Sequence, residues 1–148
     1  MKGATMESPI LWTRTLHVLA ALWLTAGVFA SAVVFTVLKR TAEPAGRAFG
    51  LRLAWRLLTV YTLPGALLAG LLGLYQLMAG GFALNRGWIH TSVTLWAVLL
   101  ATVLFVQMPK LKEAVRTGGG VPPVVAILTH VQALLIVVMV FLMALKPF

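Results

Sequence analysis

The sequence predicts an all-α, polytopic membrane protein: an up-down bundle of four transmembrane helices forming a single domain over residues 1–148. Three observations predict it. Hydrophobic residues make up 61% of the chain and charged residues 10%, which leaves too little polar surface for a soluble domain of this length. The apolar residues fall into four blocks, each able to supply the roughly 20 residues that cross a hydrocarbon core. The connections between blocks are short, so consecutive helices run antiparallel and pack as neighbours.

The first block runs from about residue 10 to 38. Between Arg14 and Lys39 it holds no charged residue, and His17 is its one ionisable side chain. Lys2, the apolar run and Ala30-Ser31-Ala32 have the outline of a signal peptide. The run continues through Val33, Val34, Phe35 and Val37, however, and is too long for a signal core, so a retained span is expected.

The second block covers about 57–78, with a helical extension back toward Ala45. Thr41 and Pro44 suit a helix start. Arg47, Arg52 and Arg56 then interleave with Phe49, Leu51, Leu53 and Trp55, the pattern of an amphipathic lead-in lying at the headgroups. Pro64 lies inside the span, removes a backbone donor and predicts a kink. Gly65, Ala69 and Gly73 recur at four-residue spacing, with Ala66 and Gly70 on the neighbouring row. Such rows let helix backbones approach closely in lipid, either within the bundle or between copies in a homodimer.

Gly80-Gly81 breaks the second helix, and Asn85-Arg86-Gly87 reads as a short turn. Trp88 opens the third block, about 88–108, at interface depth. Pro109 and then Gly118-Gly119-Gly120 end that block. Pro122-Pro123 opens the fourth, about 124–145, and Lys146-Pro147 closes the chain.

Charge orients the spans. The first loop and its flank carry Lys39, Arg40, Arg47, Arg52 and Arg56, and the third loop carries Lys110, Lys112 and Arg116. The other side holds Lys2, Arg14, Arg86 and Lys146. This bias of eight to four places loops one and three in the cytoplasm and both termini outside. The same distribution explains the net charge of +9 without nucleic acid. The basic residues sit at the ends of apolar blocks, facing the lipid bilayer, and no basic aromatic face exists to bind a polynucleotide.

Composition also narrows the chemistry. Cysteine is absent, so disulfides and thiolate chemistry are excluded. Glu7, Glu43 and Glu113 are the only acids, all near span ends, and no Asp exists to complete a Ser-His-Asp set. Hydrolysis is therefore not expected. Redox chemistry supplied by a cofactor stays open.

His17, His90 and His130 are the candidate site residues. At about 1.5 Å rise per residue, His17 lies roughly 10–13 Å below the outer boundary, His90 about 5 Å, and His130 about 20 Å or more. His17 shares its face with Ala20, Ala21, Leu24, Gly27, Val28 and Ser31, and His90 shares its own with Thr94, Ala97 and Ala101. Two such small faces, set opposite each other, either close tightly or leave a slot for a flat porphyrin with an imidazole on one or both sides of the iron. The spacing is equally compatible with histidines that hydrogen-bond across helices to Thr13, Thr94, Thr129, Gln132 or Gln107, or that handle protons or a metal. A copper site would draw on Met6, Met78, Met108, Met139 and Met143 as soft ligands, although Met139 and Met143 at helical spacing suit core filling. Gln76, Gln107, Thr62 and Ser92 are too scattered along the sequence to trace a polar path for a transported solute.

The chain resembles the small four-helix bacterial membrane proteins of the HemJ-like and CopD-like superfamily. The matching pieces are Leu16-His17 with Gly27 ten residues on, Leu63-Pro64 leading into Gly73-Leu74, Gly87-Trp88-Ile89-His90, and the ending Lys146-Pro147-Phe148. The resemblance implies haem b held in the bacterial cytoplasmic membrane, with His17 as an iron ligand and the third-helix histidine mapping onto His90; His130 is the alternative second ligand if the helices tilt enough. It also implies a redox or electron-transfer role, as in the haem-associated protoporphyrinogen oxidase of that superfamily. Where those oxidases carry an arginine, a lysine and a glutamate, this chain has Val33 or its neighbours, Ser92 and His130. That sets it beside relatives sharing the scaffold and the Lys-Pro ending. The alternatives are a non-catalytic scaffold or accessory subunit of a larger membrane complex, and a copper or small-solute transporter.

Overall fold

In the computed structural model, residues 4–79 and 86–145 are described, with side chains from residue 11 onward. Gly80, Gly81, Asn85, Lys2 and the Lys146-Pro147-Phe148 ending lie outside the described residues. The described chain is helical, without strands. Its elements are α1 (Ala4–Leu38), α2 (Pro44–Arg56), π1 (Leu57–Thr62), α3 (Leu63–Ala79), α4 (Gly87–Thr102), π2 (Val103–Gln107), α5 (Met108–Thr117) and α6 (Pro123–Leu145).

These elements make four helices long and apolar enough to span a membrane: within α1, then the unbroken runs Pro44–Ala79 and Gly87–Thr117, then α6. Their outward faces carry large apolar side chains throughout, among them Trp12, Leu22, Leu71, Phe105 and Phe141. Such a surface is stable only against hydrocarbon. The protein is a multi-pass membrane protein built as a four-helix bundle.

The helical extension expected ahead of the second span is present: α2 continues directly into π1 and α3. One face of α2 packs on the end of α1 and on α5, burying Leu51 and Ala54 against a core that includes Leu111 and Ala114. One sequence expectation changes: Pro109 does not end the third span. Helix continues to Thr117 and stops at Gly118, whose φ of 66° is the left-handed conformation that closes many helices.

Pro64 and Pro109, inside the second and third spans, are absorbed in the same way. A proline in a helix leaves the carbonyl four residues earlier without its donor. Here Pro64 and Pro109 each follow a short π-helical segment. Leu63 N–H reaches the Leu58 carbonyl, and Met108 N–H reaches that of Val103, each a span of five residues instead of four. The wider turn relieves the ring of its clash and lets the helix carry on. Just before Pro64, the indole Nε1–H of Trp23 on α1 donates to the Val60 carbonyl at 3.1 Å.

The small-residue rows settle how the helices meet. A Cβ at Gly65 would stand 2.6 Å from the Leu24 backbone nitrogen, so this row lies directly on α1. The neighbouring row faces α4: a Cβ at Gly70 would collide with the Trp96 indole, whose Nε1–H donates to the Ala66 carbonyl at 2.8 Å. Both rows are therefore occupied inside the bundle. α1 packs on α3 and α6, and α4 packs on α6 and α3. The first and third spans consequently stand diagonally across the bundle.

Candidate functional site

His17 is half-buried in the seam between α1 and α3. Its Nδ1 lies 2.8 Å from the Ala69 carbonyl oxygen. A carbonyl only accepts, so Nδ1 carries the hydrogen and donates it. In the neutral ring Nε2 then keeps its lone pair, the arrangement that orients an imidazole for ligation through its far nitrogen. The ring approaches α3 this closely because residue 73 is glycine: a Cβ there would stand 3.1 Å from His17 Cε1. One turn toward the helix end, Gln76 Nε2 donates to the Thr13 carbonyl at 3.2 Å, a second clasp between the same helices. The protein partner of His17 is thus a backbone carbonyl and none of the side chains expected from sequence.

The other two histidines stand elsewhere. His90 is exposed on the outside of α4. His130 is exposed on α6, and its Nδ1–H donates to the carbonyl of Ala126 in its own helix at 2.7 Å. The three rings occupy three separate settings. The expected slot between the small faces of the first and third spans does not form, because the face of His17 is covered by α3 and that of His90 turns away from the bundle. Among the described residues no group of three or more His, Asp or Glu is placed to hold a metal ion. Met139 is a core residue, as its spacing suggests, while Met78 and Met143 are exposed.

A second polar site was not legible as such. Gln107, Thr129 and Gln132, all at most 3% exposed, form a network with Thr102 in the bundle interior. Gln107 Nε2 donates to Thr129 Oγ1 at 3.0 Å and to Gln132 Oε1 at 3.1 Å. Gln132 Nε2 donates back to Gln107 Oε1 at 3.2 Å and to Thr102 Oγ1 at 2.8 Å. Thr129 in turn donates to the Val125 carbonyl at 2.9 Å. Beside this network is a cavity of about 10 Å³ whose polar lining includes Ser31, Thr62, Gln107, Thr129 and Gln132, so all four spans contribute. Thr62 and Gln107 are the last residues of π1 and π2. The sequence signal that pairs them is short: Thr62-Leu63-Pro64 and Gln107-Met108-Pro109, a polar residue two positions before the proline of the second and of the third span.

No family model matches the chain, and neither a curated protein nor a solved structure does.

Proposed function

We propose that the chain is a haem-b-binding, redox-linked protein of the bacterial cytoplasmic membrane, using His17 as its iron ligand, with both termini outside. The observation that carries this reading is the hydrogen bond from His17 Nδ1 to the Ala69 carbonyl, which leaves Nε2 as the ligating atom. Haem b supplies one-electron chemistry when bound. His17 would hold the haem iron through Nε2, with the Ala69 carbonyl fixing the ring's orientation and Gly73 admitting the ring to the seam. A two-histidine ligation inside the bundle does not fit, since His90 and His130 are both exposed. The orientation rests on the eight-to-four bias of basic residues. After haem-supplemented expression, the detergent-purified protein is expected to show a Soret band that His17→Ala abolishes. A protein that stays colourless counts against the proposal.

A specific observation favours a second reading, a non-catalytic scaffold or accessory subunit. The α1–α3 seam is closed around His17, with Ala69 and Gly73 in contact range of the ring, as expected of a purely structural clasp. That reading requires a colourless protein and a membrane partner that co-purifies in mild detergent.

A further inference from the structure

We infer that the cavity between the four spans is a binding site for one water molecule, which completes the hydrogen bonding of Thr62. The inference is independent of haem. Thr62 is 2% exposed and its Oγ1 has no hydrogen-bond partner among the described residues. In hydrocarbon surroundings a hydroxyl so placed is costly unless something bonds it. Thr62 lines the cavity, whose volume of about 10 Å³ is at the lower edge of the ~10–15 Å³ that one water needs.

The wall chemistry suits water better than a cation. Ser31 Oγ donates to the Gly27 carbonyl at 2.7 Å and keeps lone pairs to accept from a guest. Gln107 Oε1 accepts a bond from Gln132 and has a second lone pair. Thr62 Oγ1 both donates and accepts. A guest here therefore has one donor and several acceptors to satisfy, within the two to four polar partners usual for buried water. No carboxylate lines the cavity, so nothing offsets the charge of an ion. The hydroxyl is also held in place: a Cβ on Gly27 would stand 2.7 Å from Thr62 Oγ1, so α1 presses directly on it. The site exists because π1 and π2 bring the two residues ahead of Pro64 and Pro109 to the same cavity.

The sign of one substitution tests this in the full-length, detergent-purified protein. Thr62→Val keeps the shape and removes the hydroxyl. If water satisfies that hydroxyl, the melting temperature falls, by about 2–4 °C. If the hydroxyl is a true orphan, removing it raises the melting temperature and overturns the proposal. An experimental density map of the unmodified protein at water-resolving resolution provides the second arm. A peak within hydrogen-bonding distance of Thr62 Oγ1 is expected, and a cavity empty of density overturns it even if the variant fails to fold.

Discussion

The two polar regions of this bundle are built on opposite principles. In the α1–α3 seam, side chains reach across to backbone: His17 to Ala69, Gln76 to Thr13, Trp23 to Val60. In the interior cluster, side chains satisfy one another: Gln107, Gln132, Thr129 and Thr102. A backbone acceptor is already part of a helix, so losing its side-chain partner leaves little uncompensated. In a mutual amide network, losing one amide leaves buried groups of its neighbours without that partner. The seam therefore holds two helices together through single side-chain-to-backbone bonds, and the cluster links the third and fourth spans through paired side chains.

Substitutions can break or sharpen this contrast. The largest effect is expected where backbones touch. Gly65→Val forces a side chain into the Leu24 backbone and should destabilise by about 3 kcal/mol or more, seen as lost expression or a collapsed thermal transition. Next is the cluster. Gln107→Ala should cost about 2–3 kcal/mol, because it removes the donor to Gln132 Oε1 and to Thr129 Oγ1 and opens a space in the interior. The double change Gln107→Leu with Gln132→Leu should cost clearly less than the sum of the two single changes to Leu in a melting or denaturant cycle. Strict additivity would show that the amides do not act as a unit. Trp23→Phe removes one bond to the Val60 carbonyl and should cost about 1 kcal/mol. At the smallest end, His90→Ala and His130→Ala should each shift stability by no more than about 0.5 kcal/mol, as exposed positions do.

The same contrast explains what could be read from the chain alone. The four spans were legible because length and hydropathy decide them, and the block starting near Val124 agrees closely with α6. The small rows of the second span were legible as packing surfaces, because little besides close helix contact requires Gly65, Ala69 and Gly73 together. The rotation of each helix was not legible. Core-facing and lipid-facing positions are both apolar here, so periodicity does not separate the inside from the outside. That is why His90 and His130, plausible as inward ligands by type, stand exposed. Gln107 and Thr62 looked unrelated, since a π turn shifts the register by one residue and only folded contacts show where it falls. The prolines were visible, but whether a proline ends a helix or is carried by a wider turn depends on local backbone bonds such as those of π1 and π2.

The most direct measurement is the visible spectrum of the purified protein, taken side by side for the unmodified chain, His17→Ala, His90→Ala and His130→Ala after haem-supplemented expression. We expect a Soret band in the unmodified protein, its retention in the His90 and His130 variants, and its loss in His17→Ala alone. No band in any of the four, or a band indifferent to His17, would contradict the assignment of this imidazole as the iron ligand.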